Sequence, residues 1–292
     1  MRKEVFKVLS ALFQGVDRIL CKMHIKHPKI IIYLDGGICS QMLMYLNGQL
    51  YADMKMDINY DARWFASNGK DMYGNFDRKF ELTTLFPNLP YKEMKPWKCR
   101  FYRIFFRYPQ TGVLPRPETI TCSAYLGDYF ELPEDDLTRL WEICFRNEPR
   151  CTSDKHIIRH EKEALCAVHV RRGDLADYED EWYKRIPISY FQHAIDYVQN
   201  KYQDVRFCFF SDEPDWVEQH ICGVLPKGTK YEIEQGNKAY EDLTLISECD
   251  AVIASQGSFG RYGAKLNGKS ELIMFIHTAE NQRNLDGVTY IE

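Results

Sequence analysis

Ala167-Val168-His169-Val170-Arg171-Arg172-Gly173-Asp174 joins an apolar run to two arginines, a glycine and an aspartate. Leu165 to Val170 is short and apolar enough for a buried strand, and the charges begin where that strand would end. In an open α/β sheet, ligands bind outside the carboxyl ends of the strands. His169, Arg171 and Arg172 are therefore candidates for meeting a ligand, and a planar guanidinium suits phosphate through two parallel hydrogen bonds. Gly173 lets the chain turn with its backbone close to that ligand. The same residues also read as an ordinary strand end with a solvated arginine pair. Arg172-Gly173-Asp174 is not read as a cell-adhesion loop, because it is fused to a buried strand instead of projecting from a polar one.

Two more apolar runs end in the same way. Val205 to Phe210 stops at Ser211-Asp212-Glu213, and Asp250 to Ala254 stops at Ser255-Gln256-Gly257-Ser258-Phe259-Gly260, which opens a helix through Leu266. Small hydroxyl residues and glycines at a helix N-terminus make an anion site. Three such strand ends in succession describe a nucleotide-binding half whose ligand carries phosphate. Helices are expected over 189–201, 214–221 and 242–249, and the last strand over 271–276. Neither Gly-x4-Gly-Lys-Ser/Thr nor Gly-x-Gly-x-x-Gly occurs, which sets aside an ordinary ATPase and the dinucleotide fingerprint. Asp-x-Asp is also absent, which favours charge neutralisation by arginine over a metal held between two carboxylates.

Towards the start, Lys29 to Leu34 reads as a strand, Asp35-Gly36-Gly37 as a turn and Ser40 to Ala52 as a helix. Residues 1–28 read as an amphipathic basic helix, with Val5, Phe6, Leu9, Leu12, Phe13, Val16, Ile19 and Leu20 at helical spacing. No apolar run there reaches signal-peptide or membrane-spanning length. The helix either lies on an anionic membrane face or packs on the protein itself. Residues 60–120 are dense in aromatics and lysine or arginine; sugar stacking and an irregular core with a solvated basic face both fit. A strand is expected over 119–125 and a helix over 133–145. We expect three segments: the helix at 1–28, a domain over 29–155 and a second over 156–292.

At 292 residues, 45% apolar and 27% charged, the chain is long enough for two core-bearing domains. A net charge of −4 argues against a general nucleic-acid binder. Ten cysteines without a Cys-x-x-Cys pair, several inside apolar runs, read as buried thiols in a reducing, cytoplasmic setting with no zinc site.

The blocks together resemble glycosyltransferase family 11, the α-1,2-fucosyltransferases, within a wider group sharing His-x-Arg-Arg-Gly-Asp. His169 to Asp174 fits that motif completely. Phe210-Ser211-Asp212-Glu213-Pro214-Asp215-Trp216 is similar to the family's Phe-Ser-Asp-Asp-x-x-Trp. Asp242-Leu243 through Ser247, Ser258-Phe259 and Gly263-Ala264-x-Leu266-Asn267 match a third block, and Gly36-Gly37-Ile38-Cys39-Ser40-Gln41-Met42 resembles Gly-Gly-Leu-Gly-Asn-Gln-Met. The chain departs from the pattern at Cys39-Ser40, at Gly260-Arg261-Tyr262 and at 122–128, ahead of Tyr129-Phe130.

The resemblance implies an α/β fold of GT-B type, two Rossmann-like domains facing a cleft. GDP-fucose as donor substrate would be held mainly by the C-terminal half and an acceptor sugar by the N-terminal half, with no separate cofactor. It implies inverting, metal-independent transfer of fucose to a hydroxyl, the 2-OH of a terminal galactose on a glycan or lipid-linked oligosaccharide, at the inner face of a bacterial membrane. Arg172 is assigned the charge growing on the β-phosphate, assisted by His169 and Ser258. Arg171, Arg172, Gly173, Asp174, Ser211, Asp212, Ser258, Phe259, Gly36 and Gly37 are assigned donor contacts, Asp212 on the guanosine side. Asp35 is the candidate base, and Asp174 is given the alternative task of anchoring the arginine loop. The departures leave two other readings open: a different linkage or sugar, and a catalytically silent nucleotide-sugar or glycan-binding protein.

Overall fold

In the computed structural model, which describes residues 2–67, 69–70, 77–109, 113–127, 132–148, 150–151, 156–173, 186–276 and 287–292, the chain divides into two units, Met1–Pro149 and Arg150–Glu292. Each is an α/β unit with a wholly parallel sheet.

The first unit opens with α1 (Arg2–Lys22) and β1 (Lys29–Tyr33), whose Ile30, Ile31 and Ile32 are buried. There follow α2 (Ile38–Gln49), β2 (Asp57–Asp61), α3 (Arg63–Ser67), α4 (Leu82–Leu85), α5 (Pro96–Phe105), β3 (Ala124–Leu126) and α6 (Glu134–Trp141). The last runs on as a π-helical turn over Glu142–Arg146. The strand order is β2-β1-β3. Tyr45, Tyr60 and Tyr91 stack in succession, with ring centres 5.4 and 5.2 Å apart.

Within the aromatic stretch, the described residues 96–105 form a regular helix. Pro96 starts α5, where its missing N–H costs nothing, and the aromatic side of α5 receives α1. The Phe13 ring lies 5.3 Å from Phe101 and 4.9 Å from Phe105. Ser10 Oγ and Gln14 Nε2 both donate to the Phe105 carbonyl, at 2.6 and 2.7 Å. Below them the buried Asp17 accepts from the Ser123 N–H at 2.8 Å and pairs with Lys26. One side of the first helix thus packs on the protein.

The second unit contains β4 (Ala164–Val170), α7 (Ile188–Lys201), β5 (Val205–Ser211), α8 (Pro214–His220), β6 (Lys230–Glu234), α9 (Ala239–Ile246), β7 (Ala251–Ala254), α10 (Phe259–Asn267), β8 (Glu271–Phe275) and β9 (Val288–Ile291). The last strand is thus β9, not the run at 271–276. The order β6-β5-β4-β7-β8-β9 is, counted from the unit's first strand, 3-2-1-4-5-6, the doubly wound Rossmann order.

Period-two alternation decides which layer each residue joins. Cys166, Val168 and Val170 of β4 pack with α7 and α8 residues such as Phe191, Ile195 and Val217. Leu165 and Ala167 pack on the other face with Leu245 and Ile246 of α9 and Ala264 of α10. A sheet so covered is buried on both sides, which is why its central strands are continuous apolar runs. All ten cysteines are free and most are buried.

Candidate active site

The chain leaves β4 towards β5 on one side and returns as β7 on the other, so the topological switch point of the second unit lies between β4 and β7. That is the position where a doubly wound sheet parts its loops around a ligand. His169 ends up there. Ser255 N–H donates to the His169 carbonyl at 3.0 Å, and Ser255 Oγ receives the Arg171 N–H at 2.9 Å. The same hydroxyl lies 3.2 Å from His169 Nδ1, and the Phe259 ring is 5.3 Å from the imidazole. Burial, reinforced by the nearby Arg171 cation, pushes the imidazole down to about 3. His169 is neutral at physiological pH and acts as a polar hydrogen-bonding group, not as a cation.

Gly257 has φ +92°, and a Cβ there would come within 2.9 Å of Arg171 Nη1. Gly260 in the first turn of α10 lets that helix approach β4: a Cβ would meet His169 Cβ at 3.1 Å and Ala254 Cβ at 3.0 Å. Ser258 is the N-cap of α10 but makes no side-chain capping bond. The first-turn N–H groups, which have no partner within a helix, therefore lie beside Phe259 as anion donors.

Arg172 is held from three directions. Its backbone N–H donates to Asp212 Oδ1 at 2.9 Å, its Nε to Glu213 Oε2 at 3.0 Å, and its guanidinium carbon lies 3.8 Å from the centre of the Trp216 ring. Trp216 is backed by His220, stacked at 4.6 Å. Gly173 N–H also reaches Asp212, and Ser211 Oγ takes the Glu213 N–H at 3.0 Å. Asp212, expected on the guanosine side, is thus engaged with the backbone of the arginine turn. Glu213 and Trp216 are the residues that sequence reasoning left without a role. Trp216 was visible as part of a motif; nothing in the sequence says that Glu213 faces Arg172. Asp174 lies outside the described residues, as do Tyr129 and Phe130.

In the first unit, Asp35 follows β1 half-buried, and burial holds its carboxyl above the usual range. Gly36 takes φ +72° and Gly37 caps α2. Gln41, wholly buried, clamps this turn: its amide donates to the Gly36 and Lys79 carbonyls at 3.2 and 2.8 Å, and its oxygen accepts from Glu81 and Leu82. At the end of β2, Asp61 is fully buried, takes two bonds from Arg63 at 2.8 and 2.7 Å and one from Tyr125 Oη at 2.8 Å. Burial pushes that carboxyl up, but the bonds from Arg63 and Tyr125 outweigh it and hold it below its ordinary value. Asp61 and Arg63 were not singled out from the sequence; the one signal was a polar residue closing a short strand. Among the described residues no cluster of three or more His, Cys, Asp or Glu is placed to hold a metal ion.

A bovine protein, galactoside 2-alpha-L-fucosyltransferase SEC1, is 28% identical over 122 residues, 40% of this chain and 32% of its own. An alpha-1,2-colitosyltransferase of Escherichia coli is 24% identical over 102 residues, 34% of this chain and 35% of its own. The match therefore spans about a third of those relatives' length. Among solved structures, the dodecameric iron-containing heptosyltransferase TibC covers 91% of this chain and 62% of its own, with 12% identity and a TM-score of 0.45; at that score the likeness decides nothing about this chain. The model of glycosyl transferase family 11 matches residues 136–288, more than half of the chain and the whole span of the second unit's strand ends built above, and the chain belongs to that family.

Proposed function

We propose that the protein transfers fucose from GDP-fucose to a sugar hydroxyl, the 2-OH of a terminal galactose, with inversion at the fucosyl carbon and without metal, in a GT-B arrangement. The observation that carries the donor half is the convergence of neutral His169, Arg171 and the first turn of α10 on the switch point of a Rossmann sheet. As the bond from fucose to GDP breaks, negative charge grows on the β-phosphate. Arg171 and the N–H groups of α10 are donors suited to it, and so are the two Nη groups of Arg172, whose Nε is spent on Glu213. Donors fixed before the reaction need no reorganisation when charge appears, and losing one typically costs about 10² to 10³ in rate. Asp35, held above the usual range by burial, is suited to take the acceptor proton.

The test is thermal stabilisation by GDP, GDP-fucose, GDP-mannose and UDP-galactose, each with EDTA, on wild type and Arg172→Ala. A nucleotide at a hundredfold excess over its dissociation constant stabilises by about 2.7 kcal/mol. Stabilisation by GDP and GDP-fucose alone, lost in the variant, supports the proposal; indifference to every guanine nucleotide overturns it. The relative named as a colitosyltransferase supports a second reading, transfer of a sugar other than fucose. NMR of the product separates the two.

A further inference from the structure

We infer that the outward side of α1 lies on an anionic lipid bilayer. Packing on the protein uses only one side of α1, the side of Ser10, Phe13, Gln14 and Asp17. A second apolar stripe faces away. Val5, Val8, Leu12, Val16 and Ile19 are each at least half exposed and repeat every three or four residues, and Met23 continues the line in the following turn. Single exposed apolar residues are ordinary, but a continuous stripe along a 21-residue helix marks an interaction site.

Charge selects the occupant. Residues 1–28 hold six basic side chains against two acidic ones in a chain whose net charge is −4. One of those acids, Asp17, is buried and paired with Lys26. A second copy docking on this face would bring the same basic surface against itself. An anionic lipid surface instead supplies acyl chains for the stripe and negative headgroups for the lysines and arginines of residues 1–28. Among the described residues no helix is long and apolar enough to cross a membrane, so α1 lies in the interface plane. This inference stands independently of the donor and acceptor assigned above.

The experiment is flotation of the full chain with phosphatidylcholine vesicles, with and without phosphatidylglycerol, at low and high salt, together with sedimentation in the absence of lipid. Wild type is expected to float with the phosphatidylglycerol vesicles and to be released by salt. Leu12→Glu is expected to bind about tenfold more weakly or worse, since it removes buried apolar area and adds a like charge. Ile19→Glu is the second variant should the first fold poorly, and Val224→Glu, at an exposed apolar position of the other unit, is expected to float as wild type does. Wild type that stays unbound, glutamate variants that float unchanged, or a lipid-free dimer that Leu12→Glu converts to monomer would each overturn the inference.

Discussion

Arg172 lies over the Trp216 ring, its guanidinium carbon 3.8 Å from the ring centre, while its Nε donates to Glu213 at 3.0 Å. The stack fixes the plane of the guanidinium and the ion pair fixes its rotation, so the remaining edge points one way before any ligand arrives. Trp216→Leu should remove the stack, worth about 1 kcal/mol for a partly desolvated pair. Calorimetric titration should then show GDP binding roughly fivefold weaker, with the fold intact. Unchanged affinity would mean that this edge does not hold the nucleotide.

His169 predicts an acid-sensitive fold. Its imidazole, pushed down to about 3 in the native state, gains a proton readily once the chain unfolds. Between that value and the ordinary histidine range the unfolded state therefore binds more protons. Stability is full above the ordinary range and falls as pH drops through the window, by up to about 1.4 kcal/mol per pH unit. Denaturant unfolding of wild type and His169→Gln from pH 7 to pH 4 should show the steeper loss in wild type. Parallel curves would assign the acid sensitivity elsewhere.

Gly260→Ala should be felt although it adds one methyl group. The Cβ meets His169 Cβ at 3.1 Å and Ala254 Cβ at 3.0 Å, both on packed strands. Pushing α10 off the sheet should cost about 1–3 kcal/mol, read as a lower urea midpoint at unchanged slope.

Asp61→Asn should destabilise the first unit by about 2–3 kcal/mol, because it strips Arg63 of its bidentate partner and alters the Tyr125 bond. Tyr125→Phe should cost about 1 kcal/mol. Chemical denaturation of both variants and the double variant would reveal their coupling, and strict additivity would show that the three groups do not act as a unit.

Asp35→Asn should leave GDP stabilisation unchanged while turnover with an acceptor falls about 10²-fold or more. Because burial raises the Asp35 carboxyl, the acid limb of the wild-type pH–rate profile should lie above the ordinary aspartate range. A variant of near-full activity would remove Asp35 from the chemistry.

What the sequence made legible follows from burial. β1, β4, β5 and β7 have neighbours on both edges and were read correctly as short apolar runs. The strands that escaped notice, β2, β6 and β9, are edge strands. β6 reads Lys-Tyr-Glu-Ile-Glu with two residues exposed, and β9 is half-buried throughout, so neither presents a continuous apolar signal. α5 escaped because Phe101 and Phe105 face α1, Tyr102 faces the core and Trp97 is exposed, with lysines and arginines between them, a mixture that hid the helical period. At the site, His169, Arg171, Gly257 and Ser258 were legible as strand-end chemistry. The Asp61–Arg63–Tyr125 group was not, since Tyr125 reaches Asp61, 64 positions away, only after β3 has paired with β1.

The clamp of Asp17 on Ser123 joins residues 106 positions apart. In a chain made from its first residue onward, α1 emerges early, but α5 and Ser123, the groups that hold it, emerge much later. Until then both its apolar sides are uncovered, and a helix of this pattern is a ready target for a chaperone or for premature self-association. Completion of the first unit therefore waits on β3, and substitutions at Asp17 or Ser123 should show themselves first as lost soluble yield during synthesis.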